Sequence, residues 1–121
     1  YLGNVPFADV PYALAASDVL AIPYRRSPFM DAGASNKIAE AMACQRPIVA
    51  TRSPNLTANF PQQAQELEPY LAESSQPSSL ATVLAQQLLD RKLVAAPQNI
   101  YWSGITSTLE QDLKRLNHDP A

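Results

Sequence analysis

The stretch SNKIAEAMACQRPIVAT, Ser35–Thr51, decides the fold class of this chain. Its first residues, Ser35 or Asn36, can cap a helix. Four later residues lie at the spacing of one helix face: Ile38, Ala41, Met42 and Gln45. Pro47 ends that helix, and the following apolar run IVAT is too short for another one. The stretch therefore predicts a helix followed by a buried strand.

A second buried strand is predicted before this helix. The segment DVLAIPY, Asp18–Tyr24, has a continuous rather than alternating apolar run, which is typical of strands covered on both faces. The segment RRSPFMDAGAS, Arg25–Ser35, lacks periodicity and predicts a loop. Strand, loop, helix and strand in this order form a right-handed crossover unit, so the sequence predicts an α/β fold with a parallel sheet.

The other elements are predicted from caps and periodicity. They are a short helix at YALAAS capped by Asp9, a short helix around Leu56–Phe60, a strand near Tyr70–Ala72, a helix LATVLAQQLLD capped by Ser78 or Ser79, and a last helix from about Trp102 to Leu116. The apolar stripe of the penultimate helix predicts its core-facing side: Leu80, Val83, Leu84 and Leu88. Tyr101 and Trp102 are expected to anchor the last helix on the sheet.

Composition favours one domain spanning residues 1–121, because the chain is 46% hydrophobic and 17% charged. A formal net charge of −2 with nine scattered basic residues excludes an electrostatic footprint for nucleic acid. No apolar run approaches the roughly 20 residues of a membrane span, and the start lacks a signal-peptide pattern. Cys44 is the single cysteine, which excludes an internal disulfide and a multi-cysteine metal site and favours a cytoplasmic location.

The candidate site lies where the first predicted strand ends and the central helix begins. Parallel sheets bind ligands beyond the carboxyl ends of their strands, and a helix start offers unpaired N–H groups and a positive dipole end. Ser35, Asn36 and Lys37 add hydrogen-bond donors and a cation at this point. Glu40 lies about one turn further on and could accept hydrogen bonds from a ribose diol. These residues together predict a site for a nucleotide diphosphate.

The motifs of the first half of the chain resemble a known family. The order of YLGNVPFADVPYALAASDVLAIPYR and SNKIAEAMACQRPIVAT is similar to the C-terminal, donor-binding domain of a group 1 (family 4) glycosyltransferase of the GT-B fold. The resemblance implies a Rossmann-like parallel sheet with flanking helices. It also implies retaining transfer of a sugar from a nucleotide diphosphate sugar to a glycan or lipid-linked acceptor, without a metal or other cofactor. A lipid-linked acceptor would place the full-length protein peripherally at a membrane.

The resemblance also assigns roles to individual positions. Glu40 matches the second acid of the two-glutamate motif of the family, which holds the ribose, and the segment Ser35–Lys37 matches the residues beside the diphosphate. The first acid should fall eight residues before Glu40, where this chain has Ala32. Asp31 is adjacent to that position and is a candidate contact to the donor sugar. The family usually has glycine where this chain has Gln45, which can end the helix at a conformational cost if its backbone is left-handed.

The resemblance further implies that the chain is a fragment. Its start corresponds to the middle of a donor domain, so we expect the N-terminal acceptor domain to be absent and the 121-residue chain alone to be inactive. The first strand would then lack neighbours, and an exposed sheet edge could pair two copies into a homodimer. Two hypotheses stay open: the donor-binding part of a glycosyltransferase, and a degenerate Rossmann-like module with a structural or partner-binding role. A flavodoxin-like receiver or a dehydrogenase is a weaker alternative, since the chain has no glycine fingerprint and no acidic cluster.

Overall fold

The structure is a computed structural model that describes residues 3–118, with side chains as far as residue 115. The α-helices are α1 (Val10–Ala15), α2 (Pro28–Ala32), α3 (Asn36–Ala43), α4 (Pro54–Thr57), α5 (Pro61–Glu66), α6 (Pro77–Asp90) and α7 (Trp102–His118). The strands are β1 (Leu20–Ile22), β2 (Ile48–Thr51) and β3 (Leu71–Ala72), and 3₁₀ turns lie at Phe7–Asp9, Glu68–Tyr70 and Gln98–Ile100. None of the described helices is long and apolar enough to cross a membrane.

The sheet has the strand order β1-β2-β3, and both pairings are parallel. Leu20 pairs with Ile48, and Ala50 pairs with Leu71, so β2 lies at the centre. All four residues of β2 are buried, as its continuous apolar run predicts. The α/β class with a parallel sheet and flanking helices is therefore confirmed, as are the strands predicted at IVAT and near Tyr70–Ala72.

Helix α3 connects β1 to β2 and forms for the reasons its sequence indicates. The Ser35 hydroxyl accepts a hydrogen bond from the Ile38 N–H at 3.3 Å, so Ser35 rather than Asn36 is the N-cap. Ile38, Ala41 and Met42 are buried against the sheet. The helix ends at Cys44, and the next residue, Gln45, takes the left-handed φ of 52°. The conformational cost expected at this helix end is therefore present.

The core surrounds β2, and α6 packs against this strand. Gln87 of α6 is fully buried, and its amide donates to the carbonyls of Ile48 at 2.9 Å and Lys92 at 3.2 Å. Its side-chain oxygen accepts from the Lys92 N–H at 2.9 Å. One side chain therefore links the start of the central strand to the segment that leaves α6. The stripe prediction missed it because Gln87 is polar.

Three local predictions are wrong, because a 3₁₀ turn or a proline at the helix start changes how each of these helices begins. Asp9 precedes α1 but makes no side-chain cap, because a 3₁₀ turn holds it in a helical conformation. The segment predicted as a loop contains α2, which starts at Pro28 after the capping hydroxyl of Ser27. The cap of α6 is Gln76, since Pro77 occupies the first helical position, whereas Ser79 accepts from the Glu73 N–H.

The boundaries and faces of other helices also differ from the predictions. The helix predicted around Leu56–Phe60 is replaced by α4 and α5, each of which begins at a proline. Leu88 of α6 is 46% exposed, although the rest of its predicted stripe is partly buried. Trp102 is 80% exposed and does not anchor α7 on the sheet. Helix α7 packs instead against the turn Gln98–Ile100.

Candidate functional site

The predicted helix start borders a cavity of about 510 Å³, which we call the helix-start cavity. Its lining includes Ser35, Asn36 and Lys37, as well as Tyr24 after β1 and Asn55 of α4. The structure thus brings three of the five predicted site residues together at the carboxyl end of the sheet. This volume is within the range of small-molecule sites.

Ser35 organises the helix start from inside the protein. The residue is buried, and its hydroxyl both caps Ile38 and shares a 3.0 Å hydrogen bond with the Tyr24 hydroxyl. These contacts use much of its hydrogen-bonding capacity. Ser35 therefore fixes the first turn of α3 against the residue that follows β1.

Two backbone donors of the first turn remain for a ligand. The Ser35 side chain satisfies the Ile38 N–H, and the Ser35 carbonyl accepts from the Ala39 N–H at 3.3 Å. The N–H groups of Asn36 and Lys37 precede the intrahelical bonds and stay unpaired. Lys37 is exposed and makes no ion pair within residues 3–118. The helix start thus combines free N–H groups, a positive dipole end and an available cation.

Glu40 lies at a separate, smaller cavity of about 180 Å³, the Glu40 cavity. The rest of its lining is mostly apolar and comes from the first turn, from α1 and from the end of α3: Phe7, Val10, Pro11, Leu14, Ala43 and Cys44. Glu40 is exposed and forms no ion pair with any residue of the described chain. Its carboxylate is therefore available at the edge of an apolar depression.

The helix-start cavity and the Glu40 cavity share the exposed face of α3. Asn36 and Lys37 precede Glu40 by four and three residues, which places all three on one side of a helix. Asn36 and Glu40 are separated by roughly 6 Å along the axis at 1.5 Å per residue. The buried face of α3 is occupied by Ile38, Ala41 and Met42, so this polar face is the one left to contact a ligand.

Asp31 does not join the other predicted residues. Its carboxylate accepts two hydrogen bonds from Arg26 Nε, at 2.7 and 2.9 Å, and the bond raises the pKa of the Arg26 guanidinium. Asp31 is not part of the lining of the helix-start cavity, whereas its neighbour Ala32 is. The position where the resemblance places an acid thus presents a methyl group to the cavity.

Asn55 is a cavity residue that the sequence interpretation missed. Its amide donates to the Met30 carbonyl at 2.9 Å, and its side-chain oxygen is buried without a hydrogen-bond partner in the described chain. Asn59 Nδ2 donates to the Gly33 carbonyl at 3.2 Å, so Asn55 of α4 and Asn59 just after it hold α2 and the residue that follows α2. The available signal was Ser53–Pro54, a helix-start pair directly after a strand end.

No group of three or more His, Cys, Asp or Glu residues suited to a metal ion occurs among the described residues. Comparison with known proteins finds that a family model described as "Glycosyl transferases group 1" matches residues 1–90. This match extends from before α1 to the end of α6 and includes both cavities on α3. Neither a curated protein nor a solved structure matches the chain.

Proposed function

The chain belongs to the group 1 glycosyltransferase family, and on that premise we propose that the exposed face of α3 binds the nucleotide diphosphate of a sugar donor. Glycosyl transfer is the general activity of this family. The observation that carries the proposal is the alignment of Asn36, Lys37 and Glu40 along one helix face between two cavities.

The diphosphate is assigned to the start of α3. The free N–H groups of Asn36 and Lys37 can donate to phosphate oxygens, and the Lys37 ammonium adds a full positive charge. The donor sugar would extend into the helix-start cavity, past Tyr24 and Asn55. Ser35 positions this turn through its cap and its bond to Tyr24 rather than through a direct contact with phosphate.

The ribose and the base are assigned to the Glu40 cavity. A carboxylate accepts hydrogen bonds from two adjacent hydroxyls, which a ribose diol provides. Phe7 is 91% exposed beside Glu40, and Val10 and Leu14 complete an apolar wall. A nucleobase placed against this wall would cover apolar surface that water otherwise contacts.

The retaining mechanism and the acceptor are also part of this proposal. Retaining transfer needs stabilisation of the diphosphate as it leaves, and helix N–H groups with Lys37 supply positive potential at that point. The acceptor is proposed to be a glycan or a lipid-linked sugar. Asp31 has no role in this scheme, because Arg26 already engages its carboxylate.

The test is a calorimetric titration of the chain with UDP and with GDP. Saturable binding of either nucleotide is expected, and Glu40→Ala should weaken it about tenfold, the scale of losing hydrogen bonds to a charged acceptor. Lys37→Gln should weaken binding in a salt-dependent way, because it removes a charge facing phosphate.

The matched control is Glu66→Ala, which removes an exposed helical glutamate that lines neither cavity on α3 and lies 3.8 Å from Lys92 Nζ. Its affinity should equal that of the unmodified chain. Equal weakening by Glu40→Ala and Glu66→Ala would show a net-charge effect and contradict the ribose assignment. Absence of saturable binding to both nucleotides would favour a degenerate module with a structural role.

A further inference from the structure

The helix-start cavity borders one buried polar atom that the protein leaves unpaired, the side-chain oxygen of Asn55. Asn55 is 4% exposed and lines the cavity, and its Nδ2 donates to the Met30 carbonyl at 2.9 Å. Its Oδ1 accepts no hydrogen bond from the part of the chain that the structure describes. Buried acceptors of this kind are rare, because nothing replaces the hydrogen bond that water would supply. The cavity therefore favours a ligand that donates an N–H or O–H to Oδ1.

The cavity wall beside Asn55 can adapt to a ligand. A Cβ placed on Gly33, a lining residue, would lie 3.6 Å from Asn55 Nδ2, so the Asn55 amide packs directly against this glycine. Phe29 also lines the cavity and is 86% exposed, and exposed side chains change rotamer rapidly. A ligand group can thus reach Oδ1 through small movements of the wall.

The same cavity also has one hydroxyl hydrogen to donate. The hydroxyls of Tyr24 and Ser35 lie 3.0 Å apart and share one hydrogen bond, in which either can be the donor. Each hydroxyl carries one hydrogen, and the other bond of Ser35 Oγ is accepted from the Ile38 N–H. Whichever hydroxyl donates within the pair, the hydrogen of the other has no acceptor among the described residues. It can donate to an oxygen of a ligand.

Most of the remaining lining is apolar. Asn36 and Lys37 are assigned to the diphosphate, and the other lining residues have no polar side chain: Phe29, Met30, Ala32, Gly33 and Ala34. A hexose carries a hydroxyl on most of its ring carbons, and a hydroxyl placed against such a wall loses its hydrogen bonds to water. The cavity is better matched by a substituent with one donor, one acceptor and an apolar end. An acetamido group combines these three in its N–H, its carbonyl oxygen and its methyl group.

We propose that the donor sugar is an N-acetylhexosamine and that Asn55 determines this specificity. The inference rests on the proposed function, because it places the sugar beside a phosphate at the start of α3. Asn55 Oδ1 accepts from the acetamido N–H, and the spare hydroxyl hydrogen of Tyr24 and Ser35 is donated to the acetyl carbonyl. The methyl group lies against the apolar part of the lining. Asn55 thus selects the sugar and takes no part in breaking its bond to the diphosphate.

The test is a ¹⁵N NMR titration of the 121-residue chain at constant ionic strength with three probes: inorganic phosphate, α-glucose 1-phosphate and N-acetyl-α-glucosamine 1-phosphate. These probes lack a base, so the result does not depend on which nucleotide the chain prefers. All three should shift the amides of Asn36 and Lys37. The N-acetyl compound should bind about tenfold tighter than glucose 1-phosphate, the scale of one added hydrogen bond and one buried methyl group.

Asn55→Leu removes Oδ1 at similar volume and should bind the two sugar phosphates equally. It also removes the bond to Met30, so Asn59→Leu is the matched control. That variant removes an amide that donates to the Gly33 carbonyl without lining the cavity, and it should keep the preference. A second readout needs no variant: the side-chain N–H signals of Asn55 should shift with the N-acetyl compound and not with inorganic phosphate.

The outcomes separate this inference from the donor proposal. Equal binding of the two sugar phosphates, tighter binding of glucose 1-phosphate, or a preference that Asn55→Leu retains would overturn the N-acetylhexosamine assignment and leave the diphosphate assignment in place. Equal loss of the preference in Asn55→Leu and Asn59→Leu would reduce Asn55 to a structural role and overturn its part in specificity. Unchanged amides of Asn36 and Lys37 with all three probes would overturn both proposals. Failure of UDP and GDP to bind, with the N-acetyl preference present, would contradict only the ribose and base assignment.

Discussion

Helices α3 and α7 are both amphipathic, yet only α3 buries its apolar face. In α3 the residues Ile38, Ala41 and Met42 are each 1% exposed beneath the sheet. In α7 the apolar stripe faces solvent in the described chain: Trp102, Ile105, Leu109 and Leu113. Periodicity predicts where a helix forms, but packing decides what it contributes to stability. The family match covers residues 1–90, so α3 lies inside the matched segment and α7 lies outside it.

The largest expected difference between the two regions comes from a pair of leucine truncations. Leu56 is fully buried, so Leu56→Ala should lower the free energy of unfolding by about 2–5 kcal/mol. Leu109 is 57% exposed, and Leu109→Ala should change it by less than about 0.5 kcal/mol. Urea denaturation measures both. Similar losses in the two variants would contradict this difference, because they would mean that Leu109 is buried against another surface.

The next effect concerns the buried amide of Gln87. Gln87→Ala leaves the Ile48 carbonyl and the Lys92 N–H without their side-chain partner, which should cost about 1–3 kcal/mol of unfolding free energy. Gln65→Ala, on the exposed side of α5, is the matched control and should be near neutral. Thermal melting of the two variants measures whether losing the buried amide of Gln87 costs more stability than losing the exposed amide of Gln65.

A smaller effect separates the starts of α3 and α7. Ser35→Ala removes the cap of Ile38 and should cost about 1 kcal/mol, whereas Ser35→Thr should retain most of it. Ser103→Ala at the exposed start of α7 removes no capping bond and serves as the control. An equal stability of Ser35→Ala and the unmodified chain would show that the cap does not limit the formation of α3.

The smallest effect is a pH dependence from the pair Tyr70 and Asp90. The Tyr70 hydroxyl donates to Asp90 Oδ2 at 2.8 Å; this bond raises the pKa of Tyr70, while hydrogen bonds from Gln86 and Tyr70 lower the pKa of Asp90. For Asp90, the stabilisation is present above its unfolded pKa near 3.9 and is lost as pH falls through the lowered folded value. For Tyr70, it is present below its unfolded pKa near 10 and is lost as pH rises through the raised one.

Tyr70→Phe removes this link while it keeps the ring. Its melting temperature should therefore fall slightly below that of the unmodified chain between about pH 5 and 9, and the two should converge at acidic and strongly basic pH. A difference that stays constant over the whole range would assign the effect to packing of the ring rather than to the hydrogen bond.

The sequence predicts the crossover unit well because its determinants are local. The cap at Ser35, the apolar run of β2 and the helix end at Gln45 each act within a few residues. The starts of the helices after β2 differ from the prediction because Pro54, Pro61 and Pro77 each start a helix, which caps and periodicity alone do not indicate. The anchoring role expected of Trp102 depended on a distant packing surface, which periodicity does not encode.

The candidate site was predictable only in part for the same reason. Spacing along α3 places Asn36, Lys37 and Glu40 on one face without further information. The partner elements of that face come from elsewhere in the chain: Phe7 and α1 beside Glu40, and Asn55 beside Ser35. Arg26 engages Asp31 through a side-chain contact, and neither residue type alone indicates that pairing.

The most direct test of the account asks whether Glu40 contacts the ribose hydroxyls themselves. UDP and its 2′,3′-dideoxy analogue are titrated into the unmodified chain and into Glu40→Ala, with GDP and its dideoxy analogue used if GDP is the tighter nucleotide. The account predicts that loss of the diol weakens binding about tenfold in the unmodified chain and has little effect in Glu40→Ala, because the same hydrogen bonds are removed in both cases. Equal losses in both proteins would show that Glu40 and the ribose hydroxyls act independently and would contradict the assignment.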